Sequence, residues 1–250
     1  MSYTALELSW RGDLAELALG GKRGALGPAF WRELPSALSE LVDARALIVR
    51  PLSADFSVGL DLVQTAPLLA ETLARREDFL AILGEMQAAV EALANFSSPV
   101  IACVSGWCIG AGLELTLACD LRVCSREARF SLPEVKLGIV SDLGGLARLP
   151  HLIGEGWARR LALTGEVVDA EKAERLGLVS EVLETPEAAL AQARDLAQSM
   201  AKLPAHTLQG VKRAMNARLD AEVRAHYREA GSWNATHLDP SRMAEALGKT

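Results

Sequence analysis

Aromatic residues are scarce in this sequence, with Phe, Trp and Tyr together making up 5% of 250 residues. A core must therefore be built mainly from Leu, Ala and Val, and with half of the chain apolar there is enough for one sizeable domain. That balance excludes a disordered chain or a disulfide-dependent scaffold. Only four cysteines occur, Cys103, Cys108, Cys119 and Cys124, with no Cys-x-x-Cys pair and no interleaved histidine. They read as buried small hydrophobes, not as a metal site, and no metal is expected. No apolar run approaches the ~18 residues of a membrane span. Met1-Ser2-Tyr3-Thr4 lacks the charged-then-apolar pattern of a signal peptide, so a cytoplasmic protein that does not engage a membrane is expected. There is no basic stripe, and the net charge is -6, which argues against a nucleic-acid surface. An anionic ligand would need a local basic patch, which net charge does not reveal. The four histidines (His151, His206, His226 and His237) fall outside the motifs described next and are given no role.

What is present is an alternation of short apolar strands and helical stretches. Ala5–Trp10 and Leu14–Leu19 flank Arg11-Gly12-Asp13 and read as a hairpin. Phe30–Val42 has helical spacing, Ala46–Val49 reads as a strand, and Leu68–Phe96 reads as one long helix-prone stretch. Val100–Val104, Ala111–Ala118 and Leu121–Cys124 then repeat strand, helix, strand. Such alternation predicts an α/β core with crossovers. From Pro186 to Gly248 strands give way to Ala- and Leu-rich helices, with breaks near Pro204 and Asp239-Pro240. The expected organisation is an α/β core over 1–185 followed by a helical part over 186–250.

Three segments carry chemistry. At Trp107-Cys108-Ile109-Gly110-Ala111-Gly112-Leu113-Glu114, the short apolar strand Pro99–Val104 has run into a glycine-flanked turn, and an Ala/Leu-rich helix carries on to Cys119. Free N–H groups at the helix start, with the positive end of the dipole behind them, suit a developing negative charge. Glu114 lies one turn further in, on the side of residues 110 and 111. In Asp55-Phe56-Ser57-Val58-Gly59-Leu60-Asp61, a second strand-to-glycine turn presents another backbone N–H. In Phe130-Ser131-Leu132-Pro133-Glu134-Val135, a second carboxylate sits in an apolar context. Two donors for an oxyanion and two proton-transfer groups make one constellation.

At these residues the chain resembles the enoyl-CoA hydratase/isomerase family, the crotonase superfamily. The resemblance rests on Pro99-Val100-Ile101-Ala102, Gly106, Gly110-Ala111-Gly112, Glu114 and Cys119-Asp120. It continues through Pro133-Glu134, Leu137-Gly138, Gly144-Gly145, Arg148-Leu149, Leu163-Thr164-Gly165 and Gly177-Leu178-Val179. It implies a crotonase-like spiral of ββα turns with a helical C-terminal part, assembled as a homotrimer or a hexamer made of two trimers. The implied substrate is an acyl-CoA thioester, and coenzyme A is part of it, so no separate cofactor is expected. The implied oxyanion donors are the backbone N–H groups of Leu60 and Ala111, where the family usually has Gly at the second position. Leu60→Ala should then be mild, and a proline at either position severe. Lys22, Arg23 and Ala25 match the loop on the adenine side, with Lys22 and Arg23 as candidate phosphate contacts. Val58, Gly59, Asp61 and Gly110 complete the expected binding set. Val58 would narrow one pocket wall, and Asp61 is expected to fix its turn.

Glu114 and Glu134 match the paired carboxylates of the family's hydratases, and addition of water to a 2-enoyl-CoA is the leading expectation. Asp142 departs from that pattern. It lies in Ser141-Asp142-Leu143-Gly144-Gly145, which is similar to the segment of 3,5-dienoyl-CoA to 2,4-dienoyl-CoA isomerases, in which Asp pairs with the equivalent of Glu134. Ala29–Leu34, Phe56–Leu62, Leu208-Gln209-Gly210 and Trp233-Asn234 lean the same way, whereas Glu114 leans back, the isomerases having Asp there. A plain reading of Asp142 is an N-cap for a helix starting near Leu143. A third possibility, of another class, is a non-catalytic acyl-CoA-binding member of the fold.

Overall fold

Leu6–Arg11 (β1) and Leu14–Leu19 (β2) pair antiparallel across the two-residue turn Gly12-Asp13, in a computed structural model that describes residues 3–73, 75–239, 241, 242 and 245. From β2 the sheet grows in parallel through Ala46–Pro51 (β3), Val100–Val104 (β4), Leu121–Ser125 (β6) and Glu181–Leu183 (β9), in the order β1-β2-β3-β4-β6-β9. Parallel strands are covered on both faces, which is why β4 reads as an unbroken apolar run and is buried throughout. A second sheet joins Trp107–Ile109 (β5), Arg129–Ser131 (β7) and Val168–Asp169 (β8). The strand at 107–109, expected only as part of a turn, was missed because three residues leave no periodicity to read.

Helices Pro28–Glu40 (α1), Leu62–Leu73 (α2) and Arg76–Ala94 (α3) cover one side of the large sheet. The single helix expected over Leu68–Phe96 is two. Asp61 starts the first by accepting the Gln64 N–H at 3.1 Å. The second starts at Arg75, which is extended (φ -131°, ψ 99°), with Glu77 and Asp78 in its first turn, where the dipole favours acids. The charged run Glu71–Glu77, inside the stretch expected as helix, thus holds a helix boundary; Ala74 lies outside the described residues.

Ala111–Leu117 (α4) is short and wholly buried. Its C-terminal carbonyls are met by the buried Arg122 guanidinium, which donates to Thr116 and Cys119 at 3.2 and 2.7 Å. Gly145–Arg148 (α5), Pro150–Thr164 (α6) and Ala170–Leu176 (α7) follow. Pro186–Ala201 (α8) begins just after the division expected at 185 and packs on the other face of the large sheet. Ala189, Ala193 and Ala197, one turn apart, meet Ala46, Ile48, Ile101 and Val123. Ala205–Ala217 (α9) and Asp220–His237 (α10) complete the helical C-terminal part. The break expected at Pro240 and the helical reach to Gly248 lie outside the described residues. All four cysteines are buried, and burial pushes the thiols of Cys103, Cys119 and Cys124 up to about 12. No described helix is long and apolar enough to cross a membrane.

Candidate active site

Strand β5 gathers the three motifs. On one side it pairs in parallel with β7, Ile109 opposite Ser131, and the Gly110 N–H donates to Ser131 O at 3.0 Å. Both strands therefore end at the same level, and the residues just beyond them, Gly110-Ala111 and Pro133-Glu134, meet there. On its other side β5 bridges to Ser57, through Ser57 N to Trp107 O (2.8 Å) and Ile109 N to Ser57 O (3.0 Å). This brings the Val58-Gly59-Leu60 turn alongside Gly110. The packing is close enough that a Cβ at Gly110 (φ 57°) would lie 2.9 Å from Glu134 Oε1.

The two expected donors face the same space. A parallel bridge centred on Leu26 uses Gly59 O and Asp61 N, at 2.9 and 3.0 Å, which turns the Leu60 N–H away from Leu26. Ala111 is the first residue of α4, where the helix supplies no acceptor for an N–H. The alanine at 111 keeps that donor in place. Val58, Gly59, Leu60, Gly110 and Ala111 line one cavity of about 80 Å³ with Glu114, Glu134 and Asp142. The remaining lining includes Leu62, Leu137, Ile139 and Leu143, so the three acids open into an apolar space.

Each acid is held differently. Glu114 is 2% exposed, and its Oε1 accepts the N–H groups of Leu143 and Gly145 at 3.1 and 2.8 Å. Burial raises its carboxyl well above the usual range, the neighbouring Glu134 and Asp142 charges add to that, and the two backbone N–H groups oppose it. Gly145 must be glycine for this contact, since a Cβ there would fall 2.7 Å from Glu114 Oε1. Glu134 Oε2 is buried without a hydrogen-bond partner among the described residues. Burial pushes Glu134 up to about 7, a hydrogen bond from Ser141 working against it and the Asp142 charge for it. Asp142 goes up to about 6, again by burial, with a hydrogen bond from Asn234 in opposition. Glu134 and Asp142 are half-buried by surface, being open to the cavity, yet both are set deep among protein atoms.

Asp142 is not a helix cap. Helix α5 begins at Gly145 with Gly144 as its N-cap and no side-chain cap bond. The acceptor at that end of the 142–145 turn is Glu114, so the capping expected of Asp142 is done by a carboxylate 28 residues earlier in the chain.

The remaining expected residues lie around the rim. Asp61 holds its turn, accepting from Gln64 N and from Gln64 Nε2 (2.6 Å). Arg23 has a left-handed backbone (φ 57°), its carbonyl accepts from Val58 N, and its guanidinium pairs with Asp55 at 2.6 Å. Lys22 and Ala25 sit on the same turn, outside the cavity lining. Sequence reading missed Gln87, Ser141 and His226. Gln87 Nε2 donates to Asp142 O at 2.8 Å. Its signal was available, because Gln87 and Glu91 stand one turn apart on α3, each directly after a buried residue, Met86 and Val90.

The chain matches the family model for enoyl-CoA hydratase/isomerase over residues 21–243. It is 32% identical to the mitochondrial Delta(3,5)-Delta(2,4)-dienoyl-CoA isomerase of Dictyostelium discoideum, covering 98% of this chain and 87% of that one. It is also 32% identical to a probable enoyl-CoA hydratase of Rhizobium meliloti, covering 100% and 97%. The crystal structure of enoyl-CoA hydratase from Bacillus halodurans superposes with a TM-score of 0.87 at 20% identity, covering 99% of this chain and 100% of that one, and so shows the shared fold. By its sequence, its fold and its relatives, the chain belongs to the enoyl-CoA hydratase/isomerase family, the crotonase superfamily.

Proposed function

We propose that this enzyme converts a 3,5-dienoyl-CoA thioester into its 2,4-dienoyl isomer. The observation that carries this reading is Asp142. It is a carboxyl group with no capping task, open to the same apolar cavity as Glu134 and raised to about 6. The kinship with a dienoyl-CoA isomerase supports it further.

The reaction removes a proton from C2 and adds one at C6, while the double bonds move from C3–C4 and C5–C6 to C2–C3 and C4–C5. Between the two transfers the charge spreads over the thioester oxygen, C2, C4 and C6. The N–H groups of Leu60 and Ala111 hold the oxygen, and C2 then falls beside Gly110, against Glu134. In the singly protonated form with Glu134 ionised and Asp142 protonated, the minor of the two such forms on these values, Glu134 takes the C2 proton and Asp142 delivers one to C6. Leu62, Leu137, Ile139 and Leu143 keep water from the intermediate. The transfer balances within one substrate without a redox group, and before the next turnover a proton returns from Glu134 to Asp142. The turn bearing Lys22 and Arg23 takes the nucleotide end of coenzyme A. As in the expectation from resemblance, the chain forms a trimer or a pair of trimers, supported by exposed Val211 and Met215, one turn apart on α9.

The mechanism needs one proton shared between two acids. The pH profile of kcat/KM should therefore be bell-shaped, peaking between the values of about 6 and about 7. Below the lower value both acids are protonated and the base is lost. Above the upper value both are ionised and the acid is lost. A profile that stays flat from pH 5 to 8 would contradict the shared proton.

Hydration of a 2-enoyl-CoA is the second reading. It is favoured by Glu114, which stands in the cavity beside Glu134 and could hold a water between them. The experiment is a side-by-side turnover assay on a 2-enoyl-CoA and a 3,5-dienoyl-CoA, with wild type and Asp142→Asn. Isomerisation that falls at least ~100-fold in the variant is expected. Hydration of the enoyl ester untouched by the change, with no isomerisation in wild type, would replace the proposal by the second reading. Binding of both esters without turnover would indicate a non-catalytic member of the fold.

A further inference from the structure

Asn234 is 1% exposed, in the interior face of α10. Its Oδ1 accepts from Val140 N at 3.0 Å, while its Nδ2 donates to Val140 O at 2.8 Å and to Asp142 Oδ2 at 2.7 Å. The orientation of this amide is fixed, because a backbone N–H can only donate and so selects Oδ1 as its partner. Both Nδ2 hydrogens are then used, one on the main chain and one on the carboxylate. A clamp for the loop would need only the two bonds to Val140. The third bond reaches the side chain of an acid that opens into the cavity.

We infer that Asn234 is a positioning residue for proton transfer: it ties Asp142 Oδ2 and leaves Oδ1 as the oxygen that carries the proton to substrate. This rests on the isomerase reading of the site. By donating to Oδ2 it favours the ionised form and offsets part of the rise that burial imposes on Asp142. The other groups facing Ser141 and Asp142 work differently. Glu114 from α4 and Glu134 from the turn after β7 are acids that face Asp142 across the cavity. Gln87 from α3 holds only the Asp142 carbonyl. His226 from α10 meets the Ser141 backbone and is held down to about 4, by burial first and then by the Arg148 charge, so it is neutral in the working range. Asn234 is thus the described side chain whose hydrogen bond bears on the Asp142 carboxylate, and it comes from the C-terminal helical part.

The test follows the Asp142 carboxyl by carbon-13 NMR, assigned by its loss in Asp142→Asn, in wild type, Asn234→Ala and Asn234→Asp. The aspartate variant keeps an acceptor for Val140 N and so retains one of the two clamp bonds if the alanine variant folds poorly. In both variants the Asp142 midpoint should move up by about one unit or more. The lower limb of the pH–rate profile should move with it, and kcat for the dienoyl ester should fall roughly 10- to 100-fold with KM little changed. A midpoint within about 0.3 unit of wild type in both variants would overturn the inference, whatever the activity. If the midpoint moves but Asp142→Asn still isomerises the dienoyl ester, the isomerase reading falls, and Asn234's part in catalysis with it.

Discussion

Glu134→Gln should abolish isomerisation, lowering kcat by about 10⁴-fold, and should at the same time make the protein more stable at pH 8. The two effects have one cause. Glu134 lies against Gly110 with a buried oxygen that has no partner among the described residues, and burial lifts it to about 7. In the unfolded chain the same carboxyl titrates near 4.5. Between these values the folded state holds the proton and the unfolded state does not, so stability falls as pH rises through that window. Above about 7 the full cost is present, and the neutral amide removes it. The gain should be on the order of 1–3 kcal/mol, because the amide must itself be buried in the same place. Urea unfolding at pH 5 and pH 8, beside turnover of the dienoyl ester, measures both. An inactive variant that is less stable at pH 8 would make Glu134 a structural residue. An active one would remove it from the mechanism.

That exchange of stability for activity explains why the site was partly legible in the sequence. The glycine turns at 59 and 110 and the apolar context of Glu134 announce themselves locally, since each is a break in strand or helix grammar. Five of the six strands of the large sheet were read nearly to their ends, β4 without error at either, because a strand covered on both faces is a continuous apolar run, whereas the three-residue β9 was not expected. What could not be read was pairing. Nothing local in Trp107-Cys108-Ile109 says that it will bond Ser57 on one side and β7 on the other, yet those pairings place three motifs around one cavity.

The role of Asp142 was hidden for the same reason. Ser-Asp before Leu-Gly-Gly is good capping chemistry, but the N–H groups it would serve are taken by Glu114, from another element. Once that local task is taken, Asp142 is an acid open to the cavity, and chemistry is the task left to it there. Asn234 is further still from local reading, 92 residues along the chain from the carboxylate it holds. Long-range hydrogen bonds of this kind carry no periodicity and no turn signature.

Ala111→Pro should cost about 10³-fold in kcat/KM while leaving the fold intact. Ala111 is the first residue of α4, the one helical position where proline is welcome, because the lost N–H has no helical acceptor and the ring matches the helical φ. The preceding residue does not object. Gly110 at φ 57° and ψ -131° is the mirror image of an extended residue, a state open to glycine and compatible with a following proline. The substitution therefore removes one hydrogen-bond donor and little else from the protein. A lost oxyanion donor typically costs about 10²–10³-fold, and the ring, occupying the space that the thioester oxygen should fill, places this variant at the upper end. Ala111→Gly keeps the N–H and should stay within about threefold of wild type, as should Leu60→Ala, whose donor is also main chain. Thermal melts of all three variants, with kcat/KM on the dienoyl ester, separate the possibilities. A folded proline variant that loses less than about tenfold would show that the Ala111 N–H does not carry the developing charge, and the oxyanion would have to be sought at Leu60 alone.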